Sequence, residues 1–429
     1  MKALITPGPL SGVVRAPASK SVAHRMLICA ALADAPCSVA LEGSNDDIDA
    51  TLRCLEALGA GVERAAGELR VTPLPRAEDG LRAQPCALLD CGESGSTLRF
   101  LLPLAAALGA GARVTGRGRL AQRPLSPLYE QLQAAGAELS EQGSFPLEVR
   151  GRAAGGIYRM PGNVSSQYVT GLLLAGPVMG GVRVEVAKPV ESRPYLDLTV
   201  SAMARFGVEV RVSDEADALR FEVDAQARYR SPGACAVEGD WSAAAFWLCA
   251  GALCGTRVGV EGLDLRSAQG DRAVCGALAL LGCHVSQADQ RATLVPGRLR
   301  ACTLAMHDVP DLVPPVAAVA ACAEGSSQIT GVARLRLKES DRLATVSAGL
   351  AALGARLSVG DESLRFEGVP SLTGGACDAA NDHRIAMMCA IAAARATGPV
   401  SIEGAECVRK SYPGFWDDFR ALGGVVSFS

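Results

Sequence analysis

An α/β (α+β) fold built from six similar units is predicted by three observations. First, the phrase "apolar helix end, small-Gly-Ala, strand" occurs six times, as CLEALGAGVE, QLQAAGAELS, AMARFGVEVRV, ALALLGCHVS, GLAALGARLSV and FRALGGVVSF. Its glycines, Gly59, Gly136, Gly207, Gly282, Gly354 and Gly423, recur every 69–77 residues. Second, another phrase interleaves with it: an alanine-rich helix, a small turn, and a β-branched strand often ending in Glu-Gly, as in ALADAPCSVALEG, GALCGTRVGVEG and ARATGPVSIEG. Third, the alanine-rich helices are apolar on nearly every side, which is the pattern of buried helices. Each unit of about 72 residues thus holds two helices, each followed by strand. Glycine just past a helix relieves the left-handed conformation of its C-terminal turn.

Units this long do not stack as a solenoid, so three per globular domain is the natural grouping. The 429 residues, 49% hydrophobic, suffice for two or three domains with real cores. Charged residues make up 20% of the chain and the net charge is −3, which argues for no nucleic-acid or membrane surface. The longest uncharged run, between Arg159 and Arg183, contains Pro161, Asn163, Gln167 and Pro177. It reads as loop plus helix, not a membrane span. The opening MKALITPGPL lacks the apolar stretch of a signal peptide, and the 15 cysteines contain no CxxC. Reduced, mostly buried thiols and a cytoplasmic location are expected.

The chemistry-bearing segments follow in order. Ala18-Ser19-Lys20-Ser21-Val22-Ala23-His24-Arg25 is a loop entering a helix, where unpaired N–H groups attract anions and Lys20, Ser21 and Arg25 add donors. Gly92-Glu93-Ser94-Gly95-Ser96-Thr97-Leu98-Arg99 places a glycine-bearing loop before an apolar helix; it fits neither a Walker nor a Rossmann pattern. Arg119 to Leu125 is a third basic segment. Ser165-Ser166-Gln167-Tyr168 groups hydrogen-bonding side chains before a helix, and Ser192-Arg193-Pro194-Tyr195 is another polar group. Asp308 and Asp311 flank Pro310 ahead of LVPPVAAVAACA. In Arg336-Leu337-Lys338-Glu339-Ser340-Asp341-Arg342, a helix would place Lys338 and Arg342 on one face. Asn381-Asp382-His383-Arg384 opens IAMMCAIAAA, and Arg409-Lys410-Ser411-Tyr412-Pro413 lies near the end. Taken singly, each segment also reads as a helix cap or a solvated charged face. The histidines at 24, 284, 307 and 383 form no metal spacing, and there is no GxSxG elbow.

Taken together, SKSxxHR, GxSGSTxR, RPL, SSQY, ESRPY, DxVP, KESDR, NDHR and KSYPGF resemble the 5-enolpyruvylshikimate-3-phosphate synthase family, in its order and from Ser19 to Phe415. The resemblance implies two globular domains, each of three βαβαββ repeats. It implies domain boundaries at 1–14 plus 232–429 and at 15–231, with crossovers near 12–19 and 228–236 and the active site in the interdomain cleft. RYRSPGACAV would be the second linker. The implied reaction moves the enolpyruvyl group of phosphoenolpyruvate to the 5-hydroxyl of shikimate 3-phosphate, with no metal and no cofactor. Glyphosate would compete with phosphoenolpyruvate, and the protein would be a monomer.

Position by position, the resemblance makes Asp311, Glu339 and Lys20 catalytic. Lys20, Ser21, Arg25, Ser165, Ser166, Gln167, Ser192, Asp311 and Lys338 would bind shikimate 3-phosphate. Lys20, Gly95, Arg123, Gln167, Arg342, Arg384 and Lys410 would bind phosphoenolpyruvate. The chain departs from the pattern at Ala18, at Glu93 and at Arg334, which stands where some members have a substrate-contacting Asn. The nearest rival, a UDP-N-acetylglucosamine enolpyruvyl transferase, needs a loop cysteine and a nucleotide-sugar pocket. SSQY and KESDR argue against it. A non-catalytic scaffold of the same fold would have no reason to keep Lys20, Asp311, Glu339, Arg342 and Arg384 together.

Overall fold

The computed structural model describes residues 1–78 and 80–429. Two compact units account for the chain, Met1–Ser19 with Glu238–Ser429, and Lys20–Val237. Both boundaries fall later than the expected 14/15 and 231/232, because strand pairing continues through the expected linkers. Gly12–Arg15 is a strand parallel to Val258–Glu261, and Ala16 and Ser19 then bond through their N–H groups to Glu261 and Glu238 carbonyls at 2.9 and 2.8 Å. At the other crossing, Ala234–Ala236 pairs in parallel with Cys37–Ala40. The end of RYRSPGACAV is therefore a sheet edge.

One repeat shows the plan. Strand Ala87–Asp90 leads through helix Gly95–Leu108 to strand Ala112–Thr115, then through helix Leu128–Ala134 to strands Ala137–Leu139 and Leu147–Gly151. The first strand lies parallel to the second; the second is antiparallel to the fourth, and the fourth to the third. Among the described residues this βαβαββ order recurs in six four-stranded sheets, three in each unit. Three repeats are completed by distant chain: Gly12–Arg15 and Lys2–Thr6 supply strands next to Val258–Glu261 and Val400–Glu403, and Ala234–Ala236 supplies the third. The six key glycines follow the second helix of each repeat, all with φ between +75° and +110°. An L side chain there would be strained, which is why the period is visible in the sequence.

The first helix of each repeat is the buried one. These helices are Lys20–Leu32, Gly95–Leu108 and Ser166–Met179 in one unit, and Trp241–Cys254, Val313–Ala320 and His383–Ala393 in the other. Thirteen of the fourteen residues of Trp241–Cys254 are buried. Small side chains permit this packing: a β-carbon at Gly171 would overlap the Arg99 carbonyl of the neighbouring helix. The run between Arg159 and Arg183 forms the 14-residue helix Ser166–Met179. No helix among the described residues is long and apolar enough to cross a membrane. All 15 cysteines are free thiols, most of them buried.

Candidate active site

In the unit Lys20–Val237 the candidate residues gather where the buried helices begin. Lys20 opens its helix and its Nζ pairs with Asp47 Oδ2 at 2.9 Å. Thr97, in the first turn of Gly95–Leu108, donates its hydroxyl proton to Ser94 Oγ (2.8 Å), and its Oγ1 lies 3.4 Å from the Asp47 carbonyl. Ser94 is the N-cap of that helix. The guanidinium of Arg123 lies directly over Gly95, so that a β-carbon at 95 would overlap it. Gln167 joins the same region: Nε2 donates to Ser96 Oγ at 3.0 Å and Oε1 accepts from Arg99 Nη1 at 2.7 Å. Arg99 also donates to the Pro124 carbonyl (2.9 Å), which anchors the RPL turn. Ser165 caps the helix that starts at Ser166.

Arg25 is a buried knot. It donates to Thr199 Oγ1 (2.9 Å), to the carbonyls of Ser21 (2.7 Å) and Tyr195 (3.0 Å), and to Thr170 Oγ1 (3.3 Å). It thereby ties its own helix to Ser166–Met179 and to Arg193–Arg205, the helix that follows Ser192. Burial lowers its pKa to about 10. Four of its five N–H groups are used in these bonds. The solvated-charge alternative for Arg25 is therefore excluded.

The unit Met1–Ser19 with Glu238–Ser429 holds a denser cluster centred on Asp311. Its Oδ1 accepts from Arg342 Nη1 (2.9 Å) and Lys338 Nζ (3.5 Å), and its Oδ2 from Arg384 Nη2 (3.0 Å). Burial would raise the Asp311 pKa, but Arg384, Lys338 and Arg342 outweigh it and hold the carboxyl well below the usual range. Arg342, 1% exposed, also donates to both oxygens of Asp382 (2.9 and 3.2 Å) and to Glu339 Oε2. Burial works against its charge, yet Asp382, Glu339 and Asp311 keep it firmly protonated. Lys338 is pulled down to about 8, by burial first and then by Arg342 and Arg334, against the raising fields of Asp311 and Glu339. Lys410 Nζ donates to the Asn381 carbonyl at 2.7 Å. Its turn is pinned by Tyr412 and Phe415, which pack on Trp247; the Trp247–Phe415 rings stack 4.8 Å apart.

Local structure differs from the sequence reading in one place. Lys338 and Arg342 are not helical neighbours. Helix Arg342–Ala352 begins only after Asp341, its N-cap, and residues 338–341 are an irregular link. The two cations meet through Asp311 instead. KESDR is not a surface salt-bridge helix, because Arg342 is fully buried. NDHR does contain a cap, Asp382, which accepts from Arg384 N at 3.0 Å, but Arg384 is 6% exposed and faces Asp311.

The comparisons with known proteins agree along the whole chain. The profile of the EPSP synthase (3-phosphoshikimate 1-carboxyvinyltransferase) family matches residues 4–419. The chain belongs to the EPSP synthase family. It is 39% identical to the 3-phosphoshikimate 1-carboxyvinyltransferase of Clostridium kluyveri over 424 residues, 98% of this chain and 97% of that one. It is 36% identical to the enzyme of that name from Clostridium perfringens strain 13 over 428 residues, 99% of both chains. A solved structure of EPSP synthase from Acinetobacter baumannii superposes with a TM-score of 0.80, at 27% identity over 100% of both chains.

Three residues that the motif reading left without a role stand beside candidate residues of their own unit. Asp382 holds Arg342, Asp47 holds Lys20, and Asp271 lies behind Arg384. An Asp at a helix start or in a turn reads only as a cap or a local charge, and its cationic partner lies 27 or more residues away in sequence. The only available signal was arithmetic: clustered buried cations require carboxylates nearby.

Proposed function

We propose that this protein transfers the enolpyruvyl group of phosphoenolpyruvate to the 5-hydroxyl of shikimate 3-phosphate, releasing phosphate. The Asp311 cluster, in a chain of this family, is the observation that carries the reading. In the addition step the 5-hydroxyl oxygen bonds to C2 while C3 gains a proton. In the elimination step the C2–O bond to phosphate breaks as C3 loses a proton. Each step needs one proton donor and one acceptor. Asp311 and Glu339 supply the carboxylates, and Lys338, Arg342, Arg384, Lys410, Lys20 and Arg123 supply cations for the phosphates and carboxylates of the two substrates. Ser21, Arg25, Ser165, Ser166, Gln167 and Ser192 recognise shikimate 3-phosphate in this reading.

The charge state of Asp311 supports a gated base. Arg384, Lys338 and Arg342 make the carboxylate a weak proton acceptor. Anionic substrates that engage Arg342, Arg384 and Lys338 would cancel part of that field and raise the basicity of Asp311 only when the site is loaded. The decisive experiment measures phosphate released from phosphoenolpyruvate by the purified protein. Release that strictly requires shikimate 3-phosphate, and does not occur with UDP-N-acetylglucosamine, is expected; no release with shikimate 3-phosphate would overturn the reading. The same reading makes the protein a cytoplasmic monomer that uses no metal or organic cofactor, and it should sediment at the 44.2 kDa of one chain.

Gly95 gives a second expected result. Its missing side chain is where the Arg123 guanidinium lies. The methyl of Gly95→Ala would push that flexible cation aside and narrow the space beside it. The KM for phosphoenolpyruvate should rise severalfold, and inhibition by glyphosate should weaken by more than that. Equal glyphosate sensitivity in both proteins would remove Gly95 from this pocket.

A further inference from the structure

Behind Arg384 lies a buried pair that no motif and no role assigned above uses. Arg384 Nη2 donates to Asp311 Oδ2 at 3.0 Å and also to Ser242 Oγ at 3.3 Å. Ser242 Oγ in turn donates to Asp271 Oδ2. The directions are consistent, since a guanidinium only donates, a hydroxyl accepts on a lone pair and donates its proton, and a carboxylate accepts. Ser242 is 8% exposed and Asp271 5%.

Neighbouring residues hold the pair in place. Ser242 is the second residue of helix Trp241–Cys254, whose N-cap, Asp240, accepts from Ala243 N. Asp271 sits in the turn Gly270–Ala273. Gln269 fastens that turn to the helix start: Oε1 accepts from Trp241 N (3.0 Å), and Nε2 donates to Glu238 Oε1 (2.8 Å) and the Gly239 carbonyl (2.9 Å). The charged groups facing Asp271 are Asp311, Arg384 and Asp240. Burial, then the negative charge of Asp311, raises its pKa to about 7 against the lowering effect of Arg384 and the Ser242 bond.

We propose that Asp271, acting through Ser242, is a positioning residue that fixes the Arg384 guanidinium between Ser242 and Asp311 and so sets the pose in which Arg384 meets phosphoenolpyruvate. This rests on the enolpyruvyl-transfer reading above. Only the ionised carboxylate orients the Ser242 proton fully, so the hold weakens as pH falls through about 7.

The test compares the unsubstituted protein with Ser242→Ala and Asp271→Asn, measuring kcat, both KM values and the thermal midpoint across neutral pH. Both variants should raise the KM for phosphoenolpyruvate roughly tenfold and leave the KM for shikimate 3-phosphate nearly unchanged, the pattern of lost ground-state positioning. In the unsubstituted protein the KM for phosphoenolpyruvate should climb as pH drops below about 7. Asp271→Asn, which cannot ionise, should flatten that limb, and titration of the substrate phosphates cancels in the comparison. An unchanged KM for phosphoenolpyruvate in both variants overturns the inference. So does a parallel rise of both KM values with a lowered thermal midpoint and an unaltered pH profile, because that marks a merely structural pair. If the unsubstituted protein shows no phosphate release that depends on shikimate 3-phosphate, the activity reading falls, and this inference with it.

Discussion

Glu339→Gln is expected to lower kcat by about 10²–10⁴-fold, the usual worth of a positioned proton-transfer group, with a much smaller change in either KM. Glu339 lies at the edge of the Asp311 cluster, with its side chain 22% exposed and Oε2 bonded to Arg342 Nη2. Glutamine keeps the shape and an oxygen for Arg342, so the loss isolates the proton. Arg342 remains tied to Asp311 and Asp382 in the variant, so the fold should hold. A large fall in kcat at nearly constant KM is the signature of a group used in the transition state. Steady-state kinetics and calorimetry on the variant check both halves. A kcat within a factor of about three of the unsubstituted protein would remove Glu339 from the chemistry.

Much of the fold was legible because its constraints are local. A left-handed turn after a helix demands glycine, so six such turns wrote a period into the sequence. The helices that could be buried on all sides announced themselves by composition. The repeats completed by distant strands were not legible, since pairing Lys2–Thr6 with Val400–Glu403 leaves no short-range mark. The same distinction applies at the candidate site. Lys20, Gly95, Asp311 and Arg384 begin helices or the turns before them, where sequence signals are strong. Arg25 and Arg342 looked like possible surface charges, and only the packed structure shows Thr170, Thr199 and Asp382 surrounding them. Long-range carboxylate partners are set by tertiary structure, and one chain offers no spacing from which to infer them.

Arg342→Met should be the most destabilising single change at the site. The guanidinium is 1% exposed and serves Asp311, Glu339 and Asp382, the last with no exposure at all. Methionine fills similar volume, so cavity formation contributes little. The cost is electrostatic: removing one partner of a buried ion cluster typically costs about 3–5 kcal/mol, because the charges left behind stay desolvated. Ser340 Oγ (2.9 Å) and Arg384 N (3.0 Å) still bond Asp382 and keep the loss from being larger. Arg342→Lys should fall between, since an ammonium cannot offer a planar fork to three carboxylates. The pH dependence follows from the sign of the shift. In the unsubstituted protein Asp311 is held well below its ordinary value, so its contribution is present above roughly pH 4. That contribution is lost only as pH falls through the lowered folded value. In Arg342→Met the buried Asp311 carboxylate loses one of the three cations that hold its pKa down, so its pKa rises and mild acid relieves the strain by protonating it. The stability gap between the two proteins should therefore be widest near neutrality and narrow toward about pH 4–5. Denaturant titrations at both pH values measure it, and a gap that stays constant with pH would show that Arg342 stabilises the unit by packing and not by charge.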